Sequence, residues 1–227
     1  MQVEILGTRG NIPLSSRAHA RHSGILIDDR LLLDLGESSY LRRRPTHIFI
    51  THLHPDHAAL SRRDVALAAE TYVPELCRAI PEAKVISGPV RAGAHRVVPV
   101  PTRHSVHVRS VGYVVEKGRR RIFYSSDLFS IHPRYRSRLG RLDLVITDGS
   151  FIRRGGLVRV DAATGRRFGH AGIPDLVAFF SPFTRRIVIT HFGGWFYSDI
   201  AASRRRIAAL SDGARVTAAR DGMVVVV

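Results

Sequence analysis

Cysteine is almost absent. The lone Cys77 rules out an internal disulfide and suits a reducing compartment; it reads as a packing residue on a helix face. Side-chain amides are equally scarce, with Gln2 and Asn11 the only two, alongside two Met and one Trp. Few thermolabile side chains point to a thermophilic source. No apolar run approaches the ~20 residues of a membrane-spanning helix. The start, Met1 to Gly7, has no basic stretch followed by an apolar one, so it reads as a first strand rather than a secretory signal. Together these absences predict a cytoplasmic protein that does not enter membranes. Lysine is missing too: only Lys84 and Lys117 occur, so arginine carries nearly all of the net charge of +16. Two readings of that charge stay open. It is the footprint of a polyanion such as RNA or DNA, or it is an arginine bias of the lineage. The arginines fall in short scattered runs instead of one block, which does not choose between them.

What is present is ordinary for a globular chain. Hydrophobic residues make up 44% of 227 residues, enough for a sizeable core. No linker, low-complexity stretch or exact repeat divides the chain, and a single domain over residues 1–227 is expected. Strands are predicted at 2–6, 23–28, 31–34 and 46–50, the second and third forming a hairpin around Asp29-Arg30. More follow at 84–87, 94–100, 106–115, 121–125, 142–147 and 186–190. Residues 37–44 and 135–139 read as short helical turns, and 57–80 as a helical pattern broken by Pro74. Helices are expected at 173–180, with Pro174 at the start, and at 198–210. Residues 151–168, rich in Gly and Arg, read as a loop, and the chain's end as a hairpin turning at Asp221-Gly222. Strands first, then strands alternating with helices, indicate an α/β fold with mixed sheets flanked by helices.

The chemistry concentrates in Thr51-His52-Leu53-His54-Pro55-Asp56-His57, directly after the apolar run Ile48-Phe49-Ile50. Three imidazoles and a carboxylate within six residues form a donor set suited to zinc and its first-row neighbours. A second regularity extends it. Four apolar runs each end in a residue able to bind a metal or a proton: His52, Asp127, Asp148 and His191. Ligands of α/β sheets gather at the carboxyl ends of strands, so these four ends predict one shared site, with His104 as a fifth contributor. The candidates His52, His54, Asp56, His57, His104, Asp127 and His191 number seven, more than one zinc uses. Two cations bridged by Asp127 would use them all, and would acidify a shared water into a hydroxide nucleophile.

The order His52-x-His54-x-Asp56-His57, His104, Asp127, His191 resembles the metallo-β-lactamase superfamily, over residues 3–192. The resemblance implies a four-layer αββα sandwich with the metals at the edge between two sheets. It also implies that His52, His54 and His104 hold one metal, that Asp56, His57 and His191 hold the second, and that Asp127 bridges. Zinc is the favoured ion, with Mn or Fe as alternatives. Finer motifs are similar to the ribonuclease Z branch: Leu6-Gly-Thr with Pro13 and Arg17, Leu33-Asp-Leu-Gly-Glu37, Gly112-Tyr-Val-Val-Glu116, Thr147-Asp-Gly-Ser150, Gly169-His-Ala and Thr190-His-Phe-Gly193. By that analogy Asp148 holds His170, which donates a proton to the leaving oxygen; otherwise His170 caps the helix that starts at Ile173. Asp56 is a second candidate for proton transfer, and Arg17 for substrate contact, with Arg153 and Arg154 as weaker ones.

The branch's long tRNA-gripping arm, expected after Glu116, has no room before Lys117-Gly-Arg-Arg-Arg. Its Lys and Asn near Arg17 are Ser15 and Ala18. Armless relatives include phosphodiesterases of cyclic phosphates and oligonucleotides. The expected activity is therefore hydrolysis of a phosphodiester, in a small molecule or a nucleic acid. The alternatives are hydrolysis of a carbon ester, thioester or lactone, and a basic nucleic-acid-binding protein with a structural metal. A homodimer is compatible with the resemblance. Among the remaining candidates, His19 and His22 are placed to touch substrate, Trp195, Phe196 and Tyr197 either stack on a ring or pack the core, and His95 reads as a surface residue.

Overall fold

The computed structural model describes residues 1–60, 67–211 and 213–227. Two mixed sheets face one another. The first runs Met223–Val226, Gln2–Gly7, Gly24–Ile27, Leu31–Leu33, His47–Phe49, Glu70–Val73, Lys84–Val85. The second runs Ser130–Ile131, His95–Arg103, Ser110–Lys117, Arg120–Ser125, Leu144–Gly149, Arg186–Phe192, Arg215–Ala218, with Val90–Ala92 paired to its long His95–Arg103 strand. Each sheet begins antiparallel and ends parallel, changing at Leu31–Leu33 with His47–Phe49 and at Arg120–Ser125 with Leu144–Gly149.

Alternation along each strand builds the layers. Val3, Ile5, Ile25, Ile27, Leu31 and Leu33 point inward against Tyr113, Val115, Ile122, Tyr124, Leu144 and Ile146 of the second sheet. The residues between them, such as Leu26, Leu32 and Ile48, form a core on the outer face of the first sheet around Tyr40. Both faces are thus buried, which is why these strands read as continuous apolar runs. Helices Ile173–Phe180 and Ile200–Ala208 cover the outer face of the second sheet through Leu176, Val177, Phe180 and Ile207. The opposite outer layer is thinner. Among the described residues it consists of the 3-10 helix Ser38–Arg43 and the turns around Ala58 and Leu60. No helix of the described residues is long and apolar enough to cross a membrane.

Four expectations change. Of the helical pattern at 57–80, residues 61–66 lie outside the described residues. Glu70–Val73 is a strand, parallel to His47–Phe49; Thr71, Tyr72 and Val73 are buried, and β-branched and aromatic side chains suit a pleated surface. The Gly- and Arg-rich loop contains a hairpin, Leu157–Val160 with Arg167–His170. The strand expected from 106 begins only at Ser110. The last two strands are not a hairpin. Arg215–Ala218 runs parallel to Arg186–Phe192 in the second sheet, whereas Met223–Val226 pairs with Gln2–Gly7 in the first. The turn at Asp221-Gly222 therefore carries the chain between sheets. Where an arm was missing from the sequence there is a tight turn, Lys117 pairing with Arg120 around Gly118 at φ +57.

Candidate metal centre

All seven expected donors arrive at one edge of the sandwich, each delivered by the end of a strand or the turn after it. His52, His54, Asp56 and His57 follow His47–Phe49. The turn closes by backbone bonds from His57 and Ala58 to the His54 carbonyl. It packs so tightly on the residue before Glu37 that a Cβ at Gly36 would lie 2.4 Å from the Asp56 carbonyl. His104 follows His95–Arg103, and Asp127 follows Arg120–Ser125. His191 comes from a bulge: Asp148 pairs with Thr190 and Gly149 with Phe192, so His191 is the extra residue. It takes φ +56, a left-handed conformation that a β-strand side chain adopts only when its surroundings impose it.

The donors form two groups that share one carboxylate. Asp127 Oδ2 lies 3.4 Å from His52 Nε2 and 3.1 Å from His104 Nε2. His54 Nδ1 completes this group, 3.0 Å from His52 Nε2 and 3.3 Å from His104 Nε2. Asp127 Oδ1 faces the other way, 3.3 Å from His57 Nε2 and 3.0 Å from His191 Nε2. Asp56 Oδ2 joins those two rings at 3.3 and 3.1 Å. Ring nitrogens crowded to about 3 Å around a common point are ligands seeking one cation. Two buried atoms of the centre, His57 Nε2 and Asp127 Oδ1, have no hydrogen-bond partner among the described residues, an expensive arrangement that a cation between them removes. The donor set therefore fits divalent metal on both sides of Asp127.

Outer hydrogen bonds fix four of the five rings, as metal-binding imidazoles require. His57 Nδ1 lies 2.9 Å from Asp34 Oδ2. Asp34, wholly buried at φ +62, also accepts from the Thr51 amide and hydroxyl, Tyr124 and Ser126. Thr51 Oγ1 is 3.0 Å from His52 Nδ1, and Ser150 Oγ 3.0 Å from His191 Nδ1. His104 Nδ1 reaches the Gly169 carbonyl at 3.2 Å while the Gly169 amide returns to the His104 carbonyl at 2.7 Å. Gly169 stands at φ +124 with no space for a Cβ beside the Leu157 carbonyl, so no other residue fits there.

Charge divides the two groups. Burial pushes His104 down to about 3 and His54 to about 4, against the pull of Asp127, and it lowers His52 as well. Those three imidazoles are neutral. Burial also opposes protonation of His57 and His191, but the carboxylates outweigh it and hold both well above the usual range: Asp56, Asp127 and Asp34 for His57, Asp127 foremost for His191. Burial disfavours the Asp127 anion, yet the charges on His191 and His57 hold it far below the ordinary carboxylate value. Cations bound beside His57 and His191 would displace protons that the carboxylates favour there.

Asp148 and His170 meet at the mouth of the centre. His170 Nδ1 lies 2.7 Å from Asp148 Oδ2, its ring 4.7 Å from that of His104 and 6.0 Å from that of His191. Asp148 is wholly buried and also accepts the Leu128 and Ser150 amides. Burial lowers His170, but the charge and hydrogen bond of Asp148 raise it above its ordinary value. His170 does not cap the following helix, whose N-cap is Gly172 without a side-chain bond.

Other candidates lie apart. Arg17 is exposed on the turn between Ser16 and His19, and among the described residues no hydrogen bond or ion pair joins it to the cluster. Arg153 bonds the Gly156 carbonyl and Arg154 faces Asp175. His19 is buried against Phe192 and Phe196, bonded to Thr8, and His22 is held by Glu37. Phe196 is buried, and Trp195 and Tyr197 are tied to the Gly149 and His19 carbonyls, so packing is their role. Asp34 had no role assigned from sequence. Its signal was its place after the apolar run Leu31-Leu32-Leu33.

Comparison with known proteins agrees with this geometry. The family profile described as "Beta-lactamase superfamily domain" matches residues 38–192. No curated protein sequence matches the chain. Among solved structures, the metallo-beta-lactamase fold protein YhfI from Bacillus subtilis aligns with a TM-score of 0.72 at 17% identity, covering 99% of this chain and 98% of that one. A diphosphatase of the PhnP family gives 0.71 at 14% identity, covering 100% and 97%. The short form of human tRNase Z gives 0.63 at 20% identity, covering 100% and 99%. At such identities the likeness concerns the fold.

Proposed function

The chain belongs to the beta-lactamase superfamily, and we propose that it is a dinuclear metal-dependent phosphodiesterase. The observation that carries this reading is the division of Asp127, one oxygen turned to His52, His54 and His104 and the other to Asp56, His57 and His191. In this reading each group holds one divalent ion, zinc being favoured by the imidazole and carboxylate donors, with Mn or Fe as alternatives. Two such ions supply Lewis-acid polarisation of a phosphoryl oxygen and an acidified water.

The chain's own residues supply the rest. Asp34, Thr51 and Ser150 lock the His57, His52 and His191 rings, so little rearrangement accompanies the reaction. Asp56 Oδ2 lies on the inner side of the cluster and is placed to accept the proton that the nucleophile sheds. His170 keeps Nδ1 on Asp148, leaving Nε2 to deliver a proton to the departing oxygen. Its position beside both groups, at the edge open to solvent, matches a leaving-group acid. The resemblance to a tRNase Z and to a PhnP-family diphosphatase supports phosphorus over carbon as the electrophile.

Two measurements test the proposal. Metal analysis of the purified protein is expected to find about two ions per chain; a single tightly held ion would overturn the dinuclear reading. Bis(p-nitrophenyl) phosphate, assayed with zinc and with manganese beside acyl esters, thioesters and lactones, is expected to be the better substrate. Preference for an acyl compound would move the function to carbon esters.

A further inference from the structure

A cleft of about 1070 Å³ is lined by Arg103 and Ser105, the two residues that flank His104 in sequence. Its walls are the chain from Pro101 to Val111, the segment from Phe129 to Tyr135, and the hairpin tip at residues 165–167. Arginines line all three: Arg103 and Arg109, Arg134, and Arg166 and Arg167; among the described lining residues Glu75 is the one carboxylate. Some acids elsewhere are matched to arginines. Glu116 takes Arg96 and Arg121 at 2.8 and 3.0 Å, and Asp143 takes Arg120 at 3.1 Å. Among the described residues, none of the five cleft arginines meets a carboxylate, and Glu75 turns its oxygen to the Arg109 amide instead. Five uncompensated guanidinium groups around one hollow form a focused positive potential.

The cleft is registered to the metal centre through the backbone of a ligand. Arg103 and Ser105 flank His104 in sequence. The Phe129 amide bonds the Arg103 carbonyl at 2.8 Å, and Ser130–Ile131 pairs with Arg103 and Thr102. On the other wall the Gly169 amide bonds the His104 carbonyl. A chain lying in the cleft would therefore meet the centre at a fixed phase.

We propose that this cleft binds a single-stranded polynucleotide, leading its backbone to the metal centre. The volume is just above the ~300–1,000 Å³ of small-molecule sites, and five cations exceed the needs of one phosphate. Two of the guanidinium groups lie over aromatic rings, Arg167 over Phe129 at 5.4 Å and Arg134 over Tyr135 at 4.5 Å. Such planes are the platforms on which unpaired bases stack, whereas duplexes present no free base faces. That the bound strand is also cleaved rests on the phosphodiesterase reading above.

The test is fluorescence anisotropy of a labelled oligothymidylate mixed with the metal-loaded full chain and read before turnover. The combined variant Arg109→Ser, Arg166→Ser, Arg167→Ser is expected to weaken binding by about tenfold or more near 0.1 M salt. It should also reduce the slope of log affinity against log salt by about two. A control variant, Arg42→Ser, Arg204→Ser, Arg205→Ser, removes the same charge from exposed positions outside the cleft and is expected to stay within about threefold. No saturable binding by the unaltered protein, or equal loss in both variants, would overturn the proposal. Bis(p-nitrophenyl) phosphate turnover is scored separately. Turnover without cleft-dependent binding removes the cleft and keeps the hydrolase, and cleft-dependent binding without turnover does the reverse.

Discussion

Two aspartates of one hairpin close the sandwich at its opposite ends. Asp28 ends the strand Gly24–Ile27 and Asp34 ends Leu31–Leu33, and both stand in the left-handed region at φ +47 and +62. Each gathers donors from both sheets. Asp28 takes the Gln2 amide from the first sheet, and His95 and Lys117 from the second. Asp34 takes Thr51 and His57 on one side, Tyr124 and Ser126 on the other. Each pairs with an imidazole at nearly the same distance, 2.8 Å to His95 and 2.9 Å to His57. His95, expected on the surface, is in fact buried. What separates the ends is the far side of the ring. His57 Nε2 is unpartnered and faces Asp56 and Asp127, whereas His95 belongs to no cluster of metal-competent groups among the described residues. An aspartate–histidine pair is a tie at one end and the support of a candidate metal ligand at the other.

The sharpest way to break the contrast is at the shared carboxylate. Asp127→Ala should strip both ions and lower phosphodiester turnover by on the order of 10³-fold, as read by metal analysis and steady-state rates. A variant that keeps two ions per chain would refute the bridging role. Next comes His170→Ala, expected to cost about 10²- to 10⁴-fold in turnover with metal content unchanged. Equal rates in variant and parent would remove His170 as the proton donor. Asp34→Asn keeps the shape but loses the anion that orients His57, and metal affinity should fall about 10- to 100-fold, measured by competition with a chelator.

The smallest effect belongs to the other end. Burial pushes the Asp28 carboxyl up, but the Gln2 amide, Lys117 and His95 outweigh it and bring it to about 2. A carboxyl lowered on folding stabilises fully above its ordinary value near 4 and loses that contribution as pH falls through about 2. Asp28→Asn should therefore cost roughly 1–2 kcal/mol at pH 7, partly screened at this half-exposed site, and nearly nothing at pH 2. Thermal melts at the two pH values decide it. Metal content should not change, and a change would show that the two ends are coupled.

Much of the centre was legible because its donors are dense and local. Thr51 to His57 puts four of them in one turn, and His104, Asp127, Asp148 and His191 each follow an apolar run whose end marks a sheet edge. The strand Glu70–Val73 was not legible, because the Ala and Leu before it mimic a helical period while its own evidence is four residues long. The terminal hairpin failed for a different reason. Asp221-Gly222 is a good turn, but local turn chemistry does not say whether the strands on either side pair with each other or with separate sheets. Asp34 showed only its place after an apolar run, with nothing to give its partner, and the basic cleft was invisible because its arginines come from three distant segments.

By itself the sequence determined the donor types, their order and the strand ends that deliver them, since spacing and hydrophobic runs are local properties. The tertiary structure alone decided which oxygen of Asp127 faces which imidazoles, that His57 leans on Asp34, and that five scattered arginines face one hollow. Those relations join residues far apart in the chain, and strand pairing and the packing of the two sheets bring them together.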